Sequence, residues 1–457
     1  MRKVGDLVNQ HDFSTGNIWR QLFFFSTPIL FTNLLQVSYQ LIDSLWVGNL
    51  LGANALGAVA VSGTVIFTIL SFIIGINNAT LTILSQQKGS DNESGVERYL
   101  NAFVVILTIM SITLGMLGYI FSASILRMMD TPQAMIQEAT TYLQINFIGI
   151  LFVFGYNFIG TVLRALGDSK TPLRFVALAV ILNTILDPIF ISLLDLGIMG
   201  AAIATIVSQG LALLYGLYLI LKKKLVPFSI PKLPKEEEVV LILKLGIPSG
   251  LQMTVISAGV MAIMSVVTSF GEGVVAGFGA AQRLDSVIML PAMALGTAVN
   301  SMAGQNIGAK SWDRVKKIAI YGVIYNFIVM TLIAVLVVLF ADGLIQLFIQ
   351  DNDSVLFGAQ YLKYISFFYP FLGINFILNG IVRASGAMFQ VLVLNLISFW
   401  ILRYPLTFLL SGVWGEIGIA FGMGISFVIS SLVAFLYYQY GNWKKKELFD
   451  GKEANAN

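Results

Sequence analysis

The sequence predicts an all-α membrane protein with twelve transmembrane helices, arranged as two six-helix bundles related by a pseudo-two-fold axis along the membrane normal. Hydrophobic residues make up 57% of the 457 residues and charged residues only 11%, too few charges to cover a water-exposed surface. Uncharged stretches reach the roughly 20 residues that a helix needs to cross a bilayer. The two halves of the chain also repeat each other, and an even number of spans per half gives both halves the same orientation.

Two clean examples of uncharged stretches, 99–126 and 318–341, are continuous apolar runs rather than the alternating segments of a β-barrel. The sequence predicts spans at 21–49, 54–87, 99–126, 139–165, 172–194, 198–221, 239–270, 275–307, 317–341, 357–384, 391–411 and 417–440.

The distribution of basic residues predicts the orientation. Twelve spans place both termini on one side with the loops after even-numbered spans, and most of the 27 Lys and Arg residues fall on that side. The positive-inside rule therefore predicts a multi-pass protein of the plasma membrane with both termini in the cytoplasm. The expected parts are a cytoplasmic arm (1–20), an N-lobe (21–221), a cytoplasmic linker (222–238), a C-lobe (239–440) and a cytoplasmic tail (441–457).

Internal repetition supports this division. Pro28 matches Pro248 at a shift of 220, and Arg164-Ala165-Leu166-Gly167 recurs as Arg383-Ala384-Ser385-Gly386 at a shift of 219. A nearly constant shift over a whole half indicates a tandem duplication, and the cleft between the halves is the expected substrate path.

Two carboxylates lie deep in predicted spans, Asp43 in the first and Asp187 in the fifth. Each costs about 2.5 to 3.5 kcal/mol at a helix centre, so both are functional candidates. Residues four apart share a helix face, which places Tyr39 beside Asp43 and Asn183 beside Asp187. The alternative is that both acids are structural and are satisfied by hydrogen bonds between helices.

Further polar groups in the first half can point to the same interior. Pro188 removes the usual partner of the Thr184 carbonyl, and Asn157 and Thr205 lie in the fourth and sixth spans. Carboxylate, amide, hydroxyl and carbonyl oxygens suit a hard cation such as sodium, and the carboxylates could bind a proton instead. The sequence leaves both ions open. The repeat places no acid opposite Asp43 or Asp187, so the coupling site is expected in the N-terminal half.

The second half carries Glu272, Arg283 and Asp285, to which the sequence assigns no role. Glu272 is expected to be a solvated loop charge, whereas Arg283 and Asp285 are two residues apart and each need a partner elsewhere. The chain has no cysteine and one histidine, and no metal-spaced pairs, so an enzymatic site is not expected.

The sequence resembles the multidrug and toxic compound extrusion (MATE) family, and within it the DinF-like branch. The resemblance rests on the stretch 28–43, Leu51-Gly52-Ala53, the loop 164–168 and the stretch 183–188, in that order and spacing. It implies alternating access and the exchange of a drug-like substrate for sodium or protons. It also implies an N-lobe cavity in which Asp43, Asp187, Asn183 and Thr205 form a cation site, with Tyr39 and Asn157 nearby in the substrate cavity.

The expected function is therefore a secondary active multidrug exporter that exchanges organic, often cationic, compounds for sodium ions or protons. The expected partners are small organic molecules and membrane lipid, with no nucleic acid, no cofactor besides the coupling ion, and a monomeric state. A flippase for a lipid-linked oligosaccharide or related lipid is the alternative. An anionic diphosphate headgroup favours a cleft with several Arg or Lys side chains, whereas the deep charges here are mainly acids.

Overall fold

The structure, a computed structural model, describes residues 12–227, 231–446 and 448–449. These residues form helices and connections, with no strand among them. The helices are α1 (Ile18–Leu51), α2 (Ala53–Gly89), α3 (Glu93–Met128), α4 (Gln133–Ile148), α5 (Ile150–Ala165), α6 (Lys170–Pro188), α7 (Gly197–Lys223), α8 (Glu236–Thr268), α9 (Glu272–Ile288), α10 (Leu290–Gly308), α11 (Trp312–Gln346), α12 (Asn352–Ser366), α13 (Tyr369–Ala384), α14 (Met388–Leu396), α15 (Tyr404–Trp414) and α16 (Ile417–Tyr440).

The described helices provide twelve membrane spans, which confirms the predicted fold class. Ten helical runs are long and apolar enough to cross a bilayer, and two bent pairs complete the set. The first pair is α4 with α5, bent by 53°, and the second is α12 with α13, bent by 54°. Hydropathy predicted each pair as one span and gave no sign of the bend.

The first bend is centred on Gly149, where the chain passes close to α7. A Cβ atom at this position would lie 2.3 Å from Cγ1 of Ile206, so a side chain would force the two helices apart. Two other spans are interrupted by π-helical turns, Ile189–Leu193 after Pro188 and Ile397–Arg403 before Pro405. Proline cannot donate to the previous turn, and π turns are one way in which a membrane helix accommodates this loss.

The chain divides into two compact units. Within the described residues, one comprises Asp12 and Phe31–Lys244, and the other comprises Phe13–Leu30 and the chain after Lys244. Helix α1 therefore contributes to both units, and the change occurs just after Pro28, which lies inside the helix.

In the first unit, α2 packs against α4 and α5, while α7 contacts α4, α5 and α6. In the second unit, α10 and α11 pack against α13, and α16 packs against α13 and α15. Phe13, Leu22 and Phe25 belong to the core formed with α10 and α11, and Phe13 is completely buried. The first half of α1 is thereby held by apolar packing on the second unit.

Candidate ion and substrate site

Both predicted acids are buried inside the first unit. Asp43 on α1 is 7% exposed and Asp187 on α6 is fully buried. The two carboxylates lie close enough for their charges to interact. Asn183, one turn before Asp187 and also fully buried, donates from Nδ2 to Asp187 Oδ1 at 2.9 Å. The structure thus brings together two acids and one amide from two helices.

Tyr39 and Thr205 connect α1 to α7. The hydroxyl of Tyr39 donates to the backbone carbonyl of Thr205 at 3.5 Å, and Tyr39 lies within electrostatic range of both acids. Asn157 behaves differently, because its Nδ2 donates to the carbonyl of Val153 on its own helix at 2.8 Å. In the described part of the chain, no recorded contact joins the Asn157 side chain to Asp43 or Asp187.

Among the buried oxygens of this region that have no hydrogen-bond partner within the described residues, four belong to the predicted site residues. Buried polar groups are nearly always paired, so four such atoms on neighbouring helices require an explanation. Each of the four residues predicted for the cation site supplies one of them: Asp43 Oδ1, Asn183 Oδ1, Asp187 Oδ2 and Thr205 Oγ1.

The chemistry of these atoms fits a hard monovalent cation. Two carboxylate oxygens, one amide oxygen and one hydroxyl oxygen are the ligand types that hard cations prefer. No group of three or more His, Cys, Asp or Glu side chains suited to a metal occurs within residues 12–227, 231–446 and 448–449. A proton shared by the carboxylates would also provide a donor for one of the unpaired oxygens.

The end of α6 positions the second acid. Asp187 is followed by Pro188 and then by the π turn Ile189–Leu193. π turns inside helices are frequent at functional sites because they alter the direction of neighbouring side chains and carbonyls. The hydroxyl of Thr184 donates to the carbonyl of Val180 on the same helix at 2.8 Å, so its hydrogen is used within α6.

Two residues that the sequence did not single out also belong to this region. Tyr142 on α4 is buried and lies within electrostatic range of Asp43, Asp187 and Tyr39. Gln209 carries a side-chain oxygen with no partner among the described residues, one turn after Thr205 on α7. Helical spacing from Thr205 could have indicated Gln209, whereas only the packing of α4 places Tyr142 here.

The second unit holds a different set of polar groups. Asp285 on α9 accepts hydrogen bonds from the hydroxyls of Tyr361, at 3.5 Å, and Tyr369. The Arg403 guanidinium lies 3.8 Å from the ring centroid of Phe399 and 4.6 Å from that of Phe427. Asp285 therefore has tyrosine hydroxyls as hydrogen-bond partners. Arg403 is a buried cation enclosed by two aromatic rings, and hydropathy alone did not reveal this environment.

The other two charges of unassigned role also lie on α9. Glu272 is exposed in the first turn of this helix, in keeping with a solvated charge. The guanidinium of Arg283 lies 6.0 Å from the ring centroid of Phe348.

The described helices form twelve spans in two units. One unit buries two acids, each of which keeps one carboxylate oxygen without a partner among the described residues. These features define a membrane transporter. The MatE family model matches residues 28–189 and again residues 248–409. The chain belongs to the MatE family. The second match begins 220 residues after the first, which is the shift between the repeated motifs.

Similar proteins cover the chain from end to end. The "Probable multidrug resistance protein YpnP" of Bacillus subtilis (strain 168) is 64% identical over 97% of this chain and 100% of its own length. The "FAD transporter" of Shewanella oneidensis is 26% identical over 95% of this chain and 97% of its own length. A structure described as the outward-facing conformation of a multidrug resistance MATE family transporter aligns with a TM-score of 0.91, at 22% identity over 97% of this chain and 100% of that one.

Proposed function

We propose that the chain exports organic, often cationic, small molecules in exchange for sodium ions or protons, and that Asp43 and Asp187 carry the coupling ion. The observation behind this proposal is the set of unpaired buried oxygens on Asp43, Asn183, Asp187 and Thr205. Several relatives are described as multidrug resistance proteins, which supports drug-like substrates. The resemblance to the DinF-like branch also supports coupling acids in the first half.

The proposed cycle couples the two ligands through two conformations of the transporter. The outward-open state releases substrate and binds the ion at the two acids, and the inward-open state releases the ion and takes up substrate. Coupling requires that each ligand favours a different state, or that the two compete for the same acids. A cationic substrate would meet the same carboxylates once the ion has left.

The proposed setting is the plasma membrane, with both termini in the cytoplasm and the protein acting as a monomer. The excess of basic residues in the loops after even-numbered spans supports this orientation. The proposed substrate-cavity residues are Tyr39, which bridges α1 to α7, Asn157 on α5, and the two acids Asp43 and Asp187.

The test uses purified protein in liposomes loaded with a fluorescent cationic dye. Dye efflux is measured under an imposed sodium gradient and, separately, under an imposed pH gradient. The variants are Asp43→Asn and Asp187→Asn, with Asp195→Asn as the matched control. Asp195 is an exposed loop residue near the end of the α6 span, so its substitution makes the same chemical change away from the site.

Efflux that one gradient drives, and that both site variants lose while Asp195→Asn retains it, would support the proposal and identify the ion. Full ion-driven transport by both site variants would refute the assignment of the acids. Absence of dye movement under either gradient would favour the lipid-flippase alternative, which lipid scrambling in the same liposomes would then test.

A further inference from the structure

A cavity of about 420 Å3 lies at the start of α11, outside the site of the first unit. It is lined by Lys310, Ser311, Trp312, Asp313, Arg314 and Lys317. Three of the six side chains are cationic and one is anionic. This balance is suited to an anionic ligand.

Of the three cationic side chains, Arg314 is the one that forms hydrogen bonds with the described part of the protein. Arg314 donates to the carbonyls of Phe13, Thr15 and Gly16 and to the side-chain oxygen of Gln21, at 2.7 to 2.9 Å. No side-chain hydrogen bond or ion pair of Lys310 or Lys317 is recorded in the described part of the chain. The two ammonium groups are therefore available to a ligand.

The start of α11 adds backbone donors to the cavity. Ser311 occupies the position before the helix but makes no side-chain cap, and its hydroxyl donates to the carbonyl of Ala309 at 3.5 Å. The first backbone N–H groups of a helix lack partners within the helix, and they favour phosphate groups. The N–H groups of Arg314 and Val315 donate to the carbonyl of Ser311, which leaves those of Trp312 and Asp313 without a backbone partner among the described residues. Both residues line the cavity together with the two lysines.

The first unit provides an internal comparison at the start of α3. Asp91 and Lys310 occupy the same turn at a shift of 219, with φ of 52° and 55°. There Asn92 caps its helix by accepting from the N–H of Gly95 at 2.9 Å, Asp91 takes the place of Lys310, and Arg98, which takes the place of Lys317, pairs with Glu238 at 3.0 Å. The same backbone is therefore built there with a closed cap and with its cation already paired, so the basic, uncapped version is not required by the fold.

The cavity also lies at the level expected for lipid headgroups. The exposed apolar side chains of α11 extend from Ile320 to Phe340, about 30 Å at 1.5 Å per residue, which matches the hydrocarbon thickness. The helix start lies about two turns beyond this band. Trp312 lies there, with its ring edge-on to Trp443 at 6.2 Å, and Trp is favoured at this depth.

We propose that this cavity binds the phosphate of an anionic phospholipid headgroup, held by Lys310, Lys317 and the first N–H groups of α11. Basic pockets beside membrane helices at the headgroup level suit such lipids. The inference does not depend on the identity of the coupling ion or of the exported substrate. A lipid bound here would hold the start of α11 and the neighbouring segment 13–16 at the membrane surface.

The test compares phosphatidylglycerol, phosphatidylcholine and inorganic phosphate as ligands of the purified full chain in detergent. Lipid retention is measured by native mass spectrometry, and the melting temperature is followed as each ligand is added. The test variant is Lys310→Gln with Lys317→Gln. The control is Lys88→Gln with Lys244→Gln, which removes the same charge from the first unit.

We expect phosphatidylglycerol to bind and to raise the melting temperature, and phosphatidylcholine to do so far less. The test variant should bind phosphatidylglycerol about 25-fold more weakly, at about fivefold per lysine, while the control stays within about twofold of the parent. Equal binding by parent and test variant, or equal binding of both lipids, would overturn the proposal. Protection by inorganic phosphate without any by phosphatidylglycerol would also overturn it and assign the cavity to a free anion.

Discussion

The side-chain amide of Asn183 donates a 2.9 Å hydrogen bond to Oδ1 of Asp187, one helical turn further along α6. Both side chains are fully buried, and each retains one oxygen with no partner in the described part of the chain. The bond fixes the carboxylate on the face of α6 that carries Asn183. A cation at this site would therefore meet an acid that is already oriented.

Replacement of Asn183 by Ala should weaken ion coupling without removing either acid. A hydrogen bond to a charged group contributes about 1.5 to 3 kcal/mol, so if sodium is the coupling ion, the sodium concentration for half-maximal dye efflux should rise about tenfold or more. If the proton is the coupling ion, the proton concentration should fall instead, because the lost donor favoured the charged carboxylate. The measurement is efflux from liposomes over a series of ion concentrations. Thr184→Ala serves as the control, because the Thr184 hydroxyl bonds only to the carbonyl of Val180 within α6. An unchanged half-maximal concentration in Asn183→Ala would contradict a role for this bond.

The Thr205→Val variant distinguishes a role of the Thr205 hydroxyl in ion binding from a role in the stability of the protein. The Thr205 hydroxyl oxygen is buried and has no partner among the described residues, and Val keeps the shape of Thr without the polar group. Removing an unsatisfied buried hydroxyl should leave the ion-free melting temperature unchanged or slightly higher. The increase in melting temperature on adding the coupling ion should shrink markedly. A large loss of stability without ion would show that the hydroxyl has a structural partner.

The spans could be predicted from sequence because hydrophobic length and charge are properties of each segment by itself. The sequence did not reveal the bends, because a bend depends on contacts with other segments of the chain. The 53° bend at Gly149 depends on the close approach of Ile206, more than fifty residues further along the chain. The division of α1 between two units likewise depends on apolar contacts of Phe13 and Phe25 with distant helices.

The same distinction applies to the candidate site. Helical spacing correctly paired Asn183 with Asp187, because both lie on one helix face. It could not reveal that Tyr39 reaches Thr205 across 166 positions, or that Tyr142 lies within electrostatic range of the acids. Contacts between helices depend on rotation and depth in the bundle, and a single sequence contains little information about either.

In the second unit, we expect the bond between Tyr369 and Asp285 to be structural. Asp285 accepts from two tyrosine hydroxyls, so Tyr369→Phe would leave a buried carboxylate with one donor fewer. The variant should lose about 1.5 to 3 kcal/mol of unfolding free energy while retaining ion-driven efflux. Tyr364→Phe is the matched control, since the Tyr364 ring lies tilted against that of Phe421 at 5.1 Å and the described donors to Asp285 are Tyr361 and Tyr369. Unfolding in detergent gives the stability, and loss of efflux at normal stability would instead indicate a transport role for Asp285.

The described part of the predicted linker 222–238 belongs to the first unit and is anchored to the start of α3. Glu238 is buried and pairs with Arg98 at 3.0 Å, and the Asn101 side chain exchanges two hydrogen bonds with the backbone of Lys232. Glu238→Gln should loosen this contact because it removes the charge that holds Arg98. Trypsin cleavage after Lys232 and Lys235 should then be several-fold faster.

The neighbouring exposed residue Glu237 provides the control for the linker experiment. Glu237→Gln makes the same substitution without touching Arg98, so its cleavage rate should match the parent protein. Equal acceleration in both variants would mean that the charge of the helix start, rather than the ion pair, holds the linker.

The orientation in the membrane can be tested with two glutamates that flank one span. Glu236 begins α8 and Glu272 begins α9, and both are exposed. Because α8 crosses the membrane between them, they must lie on opposite sides. The chain has no cysteine, so Glu236→Cys and Glu272→Cys are single reporters without background. A membrane-impermeant maleimide should label Glu272→Cys in intact cells and Glu236→Cys only after permeabilisation. The reverse pattern would place both termini outside, and labelling of both in intact cells would contradict the span itself.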